Sequence, residues 1–325
     1  MAVRTRYPRG TERYAKDLLD VATMPRTQVL ALLRLASTLK KKQQQGVPHR
    51  LLRGKTLGLL FQKPSTRTRV SFEAGMNQLG GHALVLPMSD IQLSRGETVV
   101  DTARVLSRYL DGIVIRTYDH VIVEEWATEA TMPVINGLTD HSHPCQALSD
   151  LLTIQELKGR LKGLSLAYIG DGNNVANSLV EAGAKMGMRV VIGCPSGYQP
   201  DQRVIDQARI EGHRTGASIE VVENPQVAVK EADVVYTDVW ISMGREREQT
   251  RRLRVLAPYQ LNQRLLQRAK PDAIVMHCLP AHRGEEISTE VLDGPQSVVL
   301  DQAENRLHMQ KAILTQLLSR KTRRG

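Results

Sequence analysis

The chain has 325 residues and a formal net charge of +10 at pH 7, with 41% hydrophobic and 24% charged residues. That composition excludes a disordered, collagen-like or coiled-coil chain, and the length predicts two domains with cores large enough to fold without disulfides or metals. Apolar stretches such as Leu57–Phe61 and Leu164–Ile169 fall well short of the ~20 residues a membrane-spanning helix requires, so no membrane partner is expected.

The positive excess sits in four short runs: residues 1–10, Lys40–Lys42, Arg245–Arg254 and Arg320–Arg324. Outside them the chain is net acidic. Such runs form solvated faces or tails, and 4% aromatic residues leave few platforms on which bases could stack, so no nucleic-acid partner is expected. Cys145, Cys194 and Cys278 make an odd number without a CxxC pair, which argues against a disulfide framework and a zinc ribbon. The first ten residues hold three arginines and no apolar signal core. The expected compartment is the cytoplasm.

In chain order, a helix is predicted over Thr27–Lys42, its apolar positions including Leu30, Leu33 and Leu39. Short, glycine-bounded apolar runs at Gly54–Phe61 and Gly163–Gly170 read as the opening strands of two α/β halves. Leu52-Arg53-Gly54 is echoed by Leu161-Lys162-Gly163 at their starts. After the first come strands at Ala83–Leu86, Gly112–Arg116 and Pro133–Ile135, and a helix over Thr98–Leu110. A polar stretch, Asn136–Ser142, leads into a helix from about Pro144 to Leu157 that carries the interdomain connection. After the second opening strand come strands at Val190–Cys194, Ile219–Val222, Asp233–Thr237 and Ala273–His277, and a last helix over Glu304–Leu318. Strands alternating with helices predict an α/β fold of two doubly wound parallel-sheet domains joined by interdomain helices.

The densest polar cluster is Ser65-Thr66-Arg67-Thr68-Arg69, between the first strand and a helix whose apolar stripe includes Phe72, Met76 and Leu79. Free N–H groups, hydroxyls and guanidinium forks meet at such a turn, and that is what a phosphate oxyanion requires. Gly170-Asp171-Gly172-Asn173-Asn174-Val175 could pass for a dinucleotide loop, but its third glycine is replaced by Val175 and no acidic residue ends the next strand. Asp238-Val239-Trp240-Ile241-Ser242 follows an apolar strand and offers a carboxylate and a hydroxyl to an ammonium group. His143, where a polar linker enters a helix, can donate to a developing oxyanion. Cys278 next to His277 invites a nucleophile reading, which is rejected because adjacent strand residues point to opposite faces.

Phe61–Glu73, FQKPSTRTRVSFE, resembles the carbamoyl-phosphate motif of the aspartate and ornithine carbamoyltransferases. His143-Pro144-Cys145-Gln146 is similar to that family's HPxQ element, Asp238–Gly244 (DVWISMG) to the ornithine-binding loop, and His277-Cys278-Leu279-Pro280 to the HCLP of the ornithine branch. The resemblance spans about residues 17–318. It implies transfer of the carbamoyl group of carbamoyl phosphate to the δ-amine of L-ornithine, without a cofactor or metal, in a homotrimer or higher assembly of trimers. It also implies a carbamoyl-phosphate domain over 1–147, joined by the C-terminal helix at about 306–325, and an ornithine domain over 148–305.

Carried over by motif, Ser65, Thr66, Arg67 and Thr68 hold the phosphate, while Thr68, Arg116 (from GIVIRTY) and His143 polarise the carbamoyl carbonyl. Gln146 holds the carbamoyl amide, and Cys278 and Leu279 line the meeting point of that amide and the attacking amine. Gln92 reaches a neighbouring subunit's site, and Arg306, by itself a surface helix arginine, joins the phosphate site. Asn174 binds the α-carboxylate, and Asp238, Ser242 and Met243 complete the amino-acid clamp. Three departures from the pattern are Gln62, where Glu is common, the basic run Arg245–Arg254 beside a site for a cationic substrate, and the Arg-rich N-terminus.

Overall fold

The computed structural model describes residues 16–242, 244 and 246–319. Its first sheet contains β1 (Thr56–Phe61), β2 (His82–Pro87), β3 (Gly112–Arg116) and β4 (Val134–Leu138) in the order β2-β1-β3-β4. Its second contains β5 (Ser165–Ile169), β6 (Arg189–Gly193), β7 (Ser218–Val222), β8 (Val234–Thr237) and β9 (Ile274–His277) in the order β7-β6-β5-β8-β9. All neighbouring pairs are parallel. The central strands β3 and β5 are buried along their whole length, as apolar runs covered on both faces must be.

Helices α1 (Arg26–Gln44), α2 (Thr66–Gln78), α3 (Val99–Tyr109) and α4 (His120–Glu129) accompany the first sheet, and α5 (Pro144–Lys158) leads from it to the second. The second sheet carries α6 (Asn174–Met186), α7 (Gln202–Thr215), α8 (Pro225–Val229), α9 (Gln249–Leu256), α10 (Gln263–Leu266) and α11 (Thr289–Leu292), and the last helix, α12 (Val299–Leu318), packs back on α1, α2 and α5. Strand alternation decides the layers. Leu57 and Leu59 of β1 share a core with α1, α2, α5 and α12, whereas Leu60 packs with Ala103, Val123 and Trp126 of α3 and α4. In the second sheet Leu166 and Tyr168 face the core of α6 and α7, and Ala167 and Ile169 face that of α8, α10 and α11. The first of these cores runs unbroken from one sheet to the other through α5 and α12.

Three elements depart from the sequence reading. β4 runs on through Asn136–Leu138, read above as polar linker, because Asn136 is tied in from both sides. Its N–H donates to the Leu18 carbonyl at 2.7 Å and its side chain to the Leu19 carbonyl at 2.8 Å. The last helix begins at Val299 rather than Glu304; its first turn leaves Leu300 78% exposed, so amphipathic periodicity could not mark the start. The polar stretch Asp90–Glu97, for which the residues alone predict a loop ahead of the helix at Thr98, is largely taken up by 3-10 turns at Met88–Asp90 and Gln92–Arg95. Among the described residues no helix is long and apolar enough to cross a membrane.

One buried cation on α12 makes stability depend on pH. The Lys311 ammonium is fully buried, donates to Gln78 Oε1 at 2.9 Å and lies 3.2 Å from His49 Nε2, and among the described residues no carboxylate pairs with it. Burial lowers its pKa from 10.5 to about 8. The unfolded chain therefore binds the proton more tightly, and stability rises as pH climbs from about 8 to about 10.5. Urea unfolding across that range should show a gain on the order of 1–3 kcal/mol from this group, and Lys311→Met should flatten that part of the profile. A slope equal in both proteins would contradict the assignment.

Candidate active site

In an open parallel sheet the ligand crevice lies beyond the carboxyl ends of the strands, where the strand order reverses. Here that rule marks the gap between β1 and β3 in one sheet and between β5 and β8 in the other. The segments leaving those four strands are the ones rich in chemistry: Ser65–Thr68 after β1, Arg116 ending β3, Gly170–Asn174 after β5 and Asp238–Ser242 after β8. Residues of all four segments line a single cavity of about 770 Å³ between the two sheets, although the fully buried Thr68 does not itself border it. Ser65, Thr66, Arg67, Arg116, His143, Gln146 and Arg306 border one part, and Asn174, Asp238, Ser242, Cys278 and Leu279 border the other.

On the first side, Ser65 caps α2 by accepting from the Thr68 N–H at 3.2 Å, and its hydroxyl lies 3.1 Å from Thr68 Oγ1. No acidic residue occupies the first turn of this helix, so its N–H groups and positive dipole end meet no competing carboxylate there. Arg306 does not lie on the surface, as its sequence context suggested. It is buried, with one terminal nitrogen donating to Thr68 Oγ1 at 2.9 Å and the other to Gln146 Oε1 at 3.1 Å. Arg116 and Arg306 each keep a buried Nε without a hydrogen-bond partner.

Three guanidinium groups facing one space repel each other. Burial first, then Arg306 and Arg67, lowers the Arg116 pKa to about 10. His143 is held well below the ordinary histidine range by burial and by Arg306, Arg116 and Arg67, so it is a neutral imidazole at pH 7. Its backbone N–H is fixed by Ser178 Oγ at 2.8 Å, and its buried Nδ1 has no hydrogen-bond partner. Positive charge crowded into a buried corner is what an anion relieves.

Beneath this corner lies a polar network that sequence reading missed. Asp150 accepts from Gln146 Nε2 and Gln302 Nε2, each at 2.8 Å, and from the Tyr236 hydroxyl at 3.1 Å. Its burial raises its pKa to about 7 despite those three donors. Asp150 is thus the anchor that aims the Gln146 amide, and through it Arg306. The signal was present as spacing: Asp150 lies four residues after Gln146 on α5, and Gln302 four before Arg306 on α12.

On the second side, Asp238 accepts from the Asn173 side chain at 2.7 Å and from the Cys278 thiol at 2.9 Å. Burial and the Asp238 charge push the Cys278 pKa well above the usual range, so it remains a thiol rather than a thiolate. Cys278 lies just past β9, and atoms of Asp238, His277 and Cys278 fall within 4.8 Å of one another, so opposite strand faces do not separate it from His277. What prevents a Cys–His pair is that His277 is engaged elsewhere: Nδ1 accepts from the Leu279 N–H at 2.9 Å, and Nε2 faces Glu286 Oε1 at 3.2 Å. Leu279 itself adopts a left-handed φ of 58°, unusual for a side chain of this kind.

The Gly170–Asn174 loop is shaped by close approach rather than by a dinucleotide. A Cβ on Gly172 would lie 2.4 Å from the Pro200 nitrogen. Asn173 caps α6, and the Asn174 side chain, the first of the helix, donates to the Thr139 carbonyl of the linker. The basic run is not wholly solvated either. Arg252 is buried, pairs with Asp171 and Glu248, and donates to the Trp240 carbonyl at 2.6 Å. Its charge is therefore neutralised beside the clamp. Lys63, ion-paired with Asp140 and 4.0 Å over the Tyr118 ring, also lines the cavity without having been foreseen. Gln92 is exposed on a 3-10 turn and does not border its own chain's cavity; Met243 and Arg245 lie outside the described residues.

The two-pronged hold of Arg306 gives a test. Arg306→Lys keeps the charge and loses the fork, so inorganic phosphate binding measured by calorimetry should weaken about tenfold or more while circular dichroism is unchanged. Unaltered phosphate affinity would remove Arg306 from the anion site.

Comparison with known proteins finds relatives over nearly the whole chain. Residues 16–156 match the family model described as aspartate/ornithine carbamoyltransferase, carbamoyl-P binding domain, and residues 162–317 match that of the Asp/Orn binding domain. The chain is 56% identical over 303 residues to an ornithine carbamoyltransferase of Pyrococcus abyssi, covering 93% of this chain and 96% of that one. It is 55% identical over 308 residues to that of Bacillus subtilis, covering 95% of each. The solved ornithine carbamoyltransferase of Pyrococcus furiosus superposes with a TM-score of 0.90 at 56% identity, over 93% of this chain and 96% of that one. The chain belongs to the aspartate/ornithine carbamoyltransferase family.

Proposed function

We propose that this chain transfers the carbamoyl group of carbamoyl phosphate to the δ-amine of L-ornithine, releasing L-citrulline and phosphate. The observation that carries the reading is the opposition, across one cavity, of a crowded cationic corner and a buried carboxylate. Arg67, Arg116, Arg306 and neutral His143 lie on one side and Asp238 on the other. The first suits a phosphate with its leaving-group charge; the second suits an ammonium. Relatives in Pyrococcus furiosus and Campylobacter jejuni are both described as anabolic ornithine carbamoyltransferases, which supports a place in arginine biosynthesis.

In this reading Ser65, Thr66, Arg67 and Thr68 bind the phosphate together with Arg306, and Gln146 holds the carbamoyl amide. Thr68, Arg116 and His143 donate toward the carbonyl oxygen as it gains charge, a contribution that ordinarily amounts to about 10²–10³ in rate for one donor. Asn174, Asp238, Ser242 and Met243 clamp the amino acid, and Cys278 and Leu279 line the meeting point. The neutral δ-amine attacks the carbamoyl carbon, a C–N bond forms, the C–O bond to phosphate breaks, and the nitrogen loses a proton. An alkyl ammonium of pKa ~10.4 costs about 4–5 kcal/mol to deprotonate at pH 7. Proton removal is thus part of the barrier.

The domain division follows the same logic: 1–147 with the C-terminal helix for carbamoyl phosphate, and 148–305 for ornithine. The packing of α12 on α1, α2 and α5 supports grouping that helix with the first part. Exposed Gln92 fits a role in a neighbour's site within a homotrimer or an assembly of trimers, in the cytoplasm.

Carbamoylated product should be measured with ornithine, putrescine, N-acetylornithine and aspartate side by side. Turnover is expected with ornithine, and Asp238→Asn should raise its KM while leaving that of carbamoyl phosphate nearly unchanged. His143→Ala should lower kcat about 10²–10³-fold. Preference for putrescine or an acylated amine would overturn the amino-acid clamp and leave the phosphate half standing.

A further inference from the structure

The turn that follows the active-site residues Cys278 and Leu279 holds a second constellation; its His282 borders the same cavity, and none of its residues has a part in the carbamoyl-transfer reading. His282 Nδ1 lies 3.6 Å from Glu285 Oε2 and 3.9 Å from Glu286 Oε2, and ligand atoms of the three residues all fall within 4.8 Å of one another. Glu286 is fully buried. The two oxygens that face the imidazole, Glu285 Oε2 and Glu286 Oε2, are both buried without a hydrogen-bond partner. A buried carboxylate oxygen left unpaired is costly, and two converging on one ring nitrogen form an electron-rich pocket suited to a cation.

We propose that His282, Glu285 and Glu286 form a binding site for a divalent first-row metal ion, zinc being the best match. One imidazole and two carboxylates suit such an ion, and three protein ligands leave one position to water. Tetrahedral zinc with bonds of 2.0–2.1 Å places its ligand atoms about 3.3 Å apart. The imidazole–carboxylate separations of 3.6 and 3.9 Å need close by only about 0.3 and 0.6 Å, and the two carboxylate oxygens, within 4.8 Å of each other, by at most about 1.5 Å, within reach of the half-exposed His282 and partly exposed Glu285 side chains.

The surroundings of Glu286 are those of a positioned ligand. Its other oxygen, Oε1, accepts the His282 backbone N–H and faces His277 Nε2 at 3.2 Å. With His277 Nδ1 occupied as acceptor by the Leu279 N–H, Nε2 is the protonated nitrogen and donates to Glu286. A hydrogen-bonded carboxylate whose free oxygen is aimed at the ion is the usual outer-shell arrangement around bound metals. The chain Leu279–His277–Glu286 thereby ties the metal pocket to the residue that lines the catalytic cavity. The ion's role is to fix this turn; it takes no part in the transfer chemistry.

A second metal-competent cluster, Asp238, His277 and Cys278, sits close by and contains a thiol, so the test must separate the two. Full-length protein stripped with EDTA is titrated with ZnCl2 by calorimetry and with Co²⁺ by absorption spectroscopy, and melted with and without Zn²⁺. The expected result is one ion per chain, a higher Tm, and a Co²⁺ spectrum without a thiolate charge-transfer band. Glu285→Gln and His282→Ala should each weaken binding at least about tenfold, whereas Cys278→Ser should not. Glu285 is only partly buried, so its variant should keep the wild-type circular dichroism spectrum. No binding at millimolar metal, binding indifferent to both variants, or a thiolate band abolished by Cys278→Ser would each overturn the proposal.

Discussion

The structure depends on the burial of more positive charge at the junction of its two sheets than the folded chain neutralises there. Arg67, Arg116 and Arg306 border one cavity, and the cost is visible in the lowered pKa of Arg116 and in a histidine kept neutral. A chain tolerates such crowding only where the surrounding fold holds the groups in place. Here the hold comes from α5 and α12, whose apolar faces share one core with α1 and α2. Their polar positions supply Gln146, Asp150, Gln302 and Arg306. An anion bound there would relieve the repulsion, giving binding energy and preorganisation the same source.

The same two helices couple the halves. Asp150 and Gln302 reach across to Tyr236 of the second sheet, and the tyrosine stacks on Tyr168 with ring centroids 5.8 Å apart. The Tyr168 hydroxyl in turn donates to the Asp171 carbonyl at 2.9 Å in the loop before α6. On the other flank the linker is clipped to α6: Asn174 donates to Thr139, Asn177 to the His141 carbonyl at 2.9 Å, and Ser178 receives the His143 N–H. The two ends of the cavity are therefore not independent pockets.

Much of this was legible in the sequence where local chemistry sufficed. Short apolar runs marked every strand to within a few residues, since a strand covered on both faces has little choice but to be apolar. Ser65–Arg69 stood out because its density of hydroxyls and guanidiniums exceeds what a helix cap uses. What stayed hidden was decided by partners remote in the chain. Arg306 looks like a surface residue because its meeting with Thr68 spans 238 positions. Asp150 is one polar residue on a helix that happens to be buried all round its first three turns. Arg252 vanished into a basic run, and only the tertiary pairing with Asp171 distinguishes it from its solvated neighbours.

The central claim is that the cationic corner and the Asp238 side each hold one end of a single reacting pair. A crystal structure of the protein with a bisubstrate analogue, a phosphonoacetyl group joined to the δ-nitrogen of ornithine, tests it most directly. The account predicts the phosphonate against Ser65–Thr68 and Arg306, the amide oxygen toward Arg116 and His143, and the α-amino group at Asp238. An analogue bound in reverse, or with its amino-acid end away from Asp238, would contradict it.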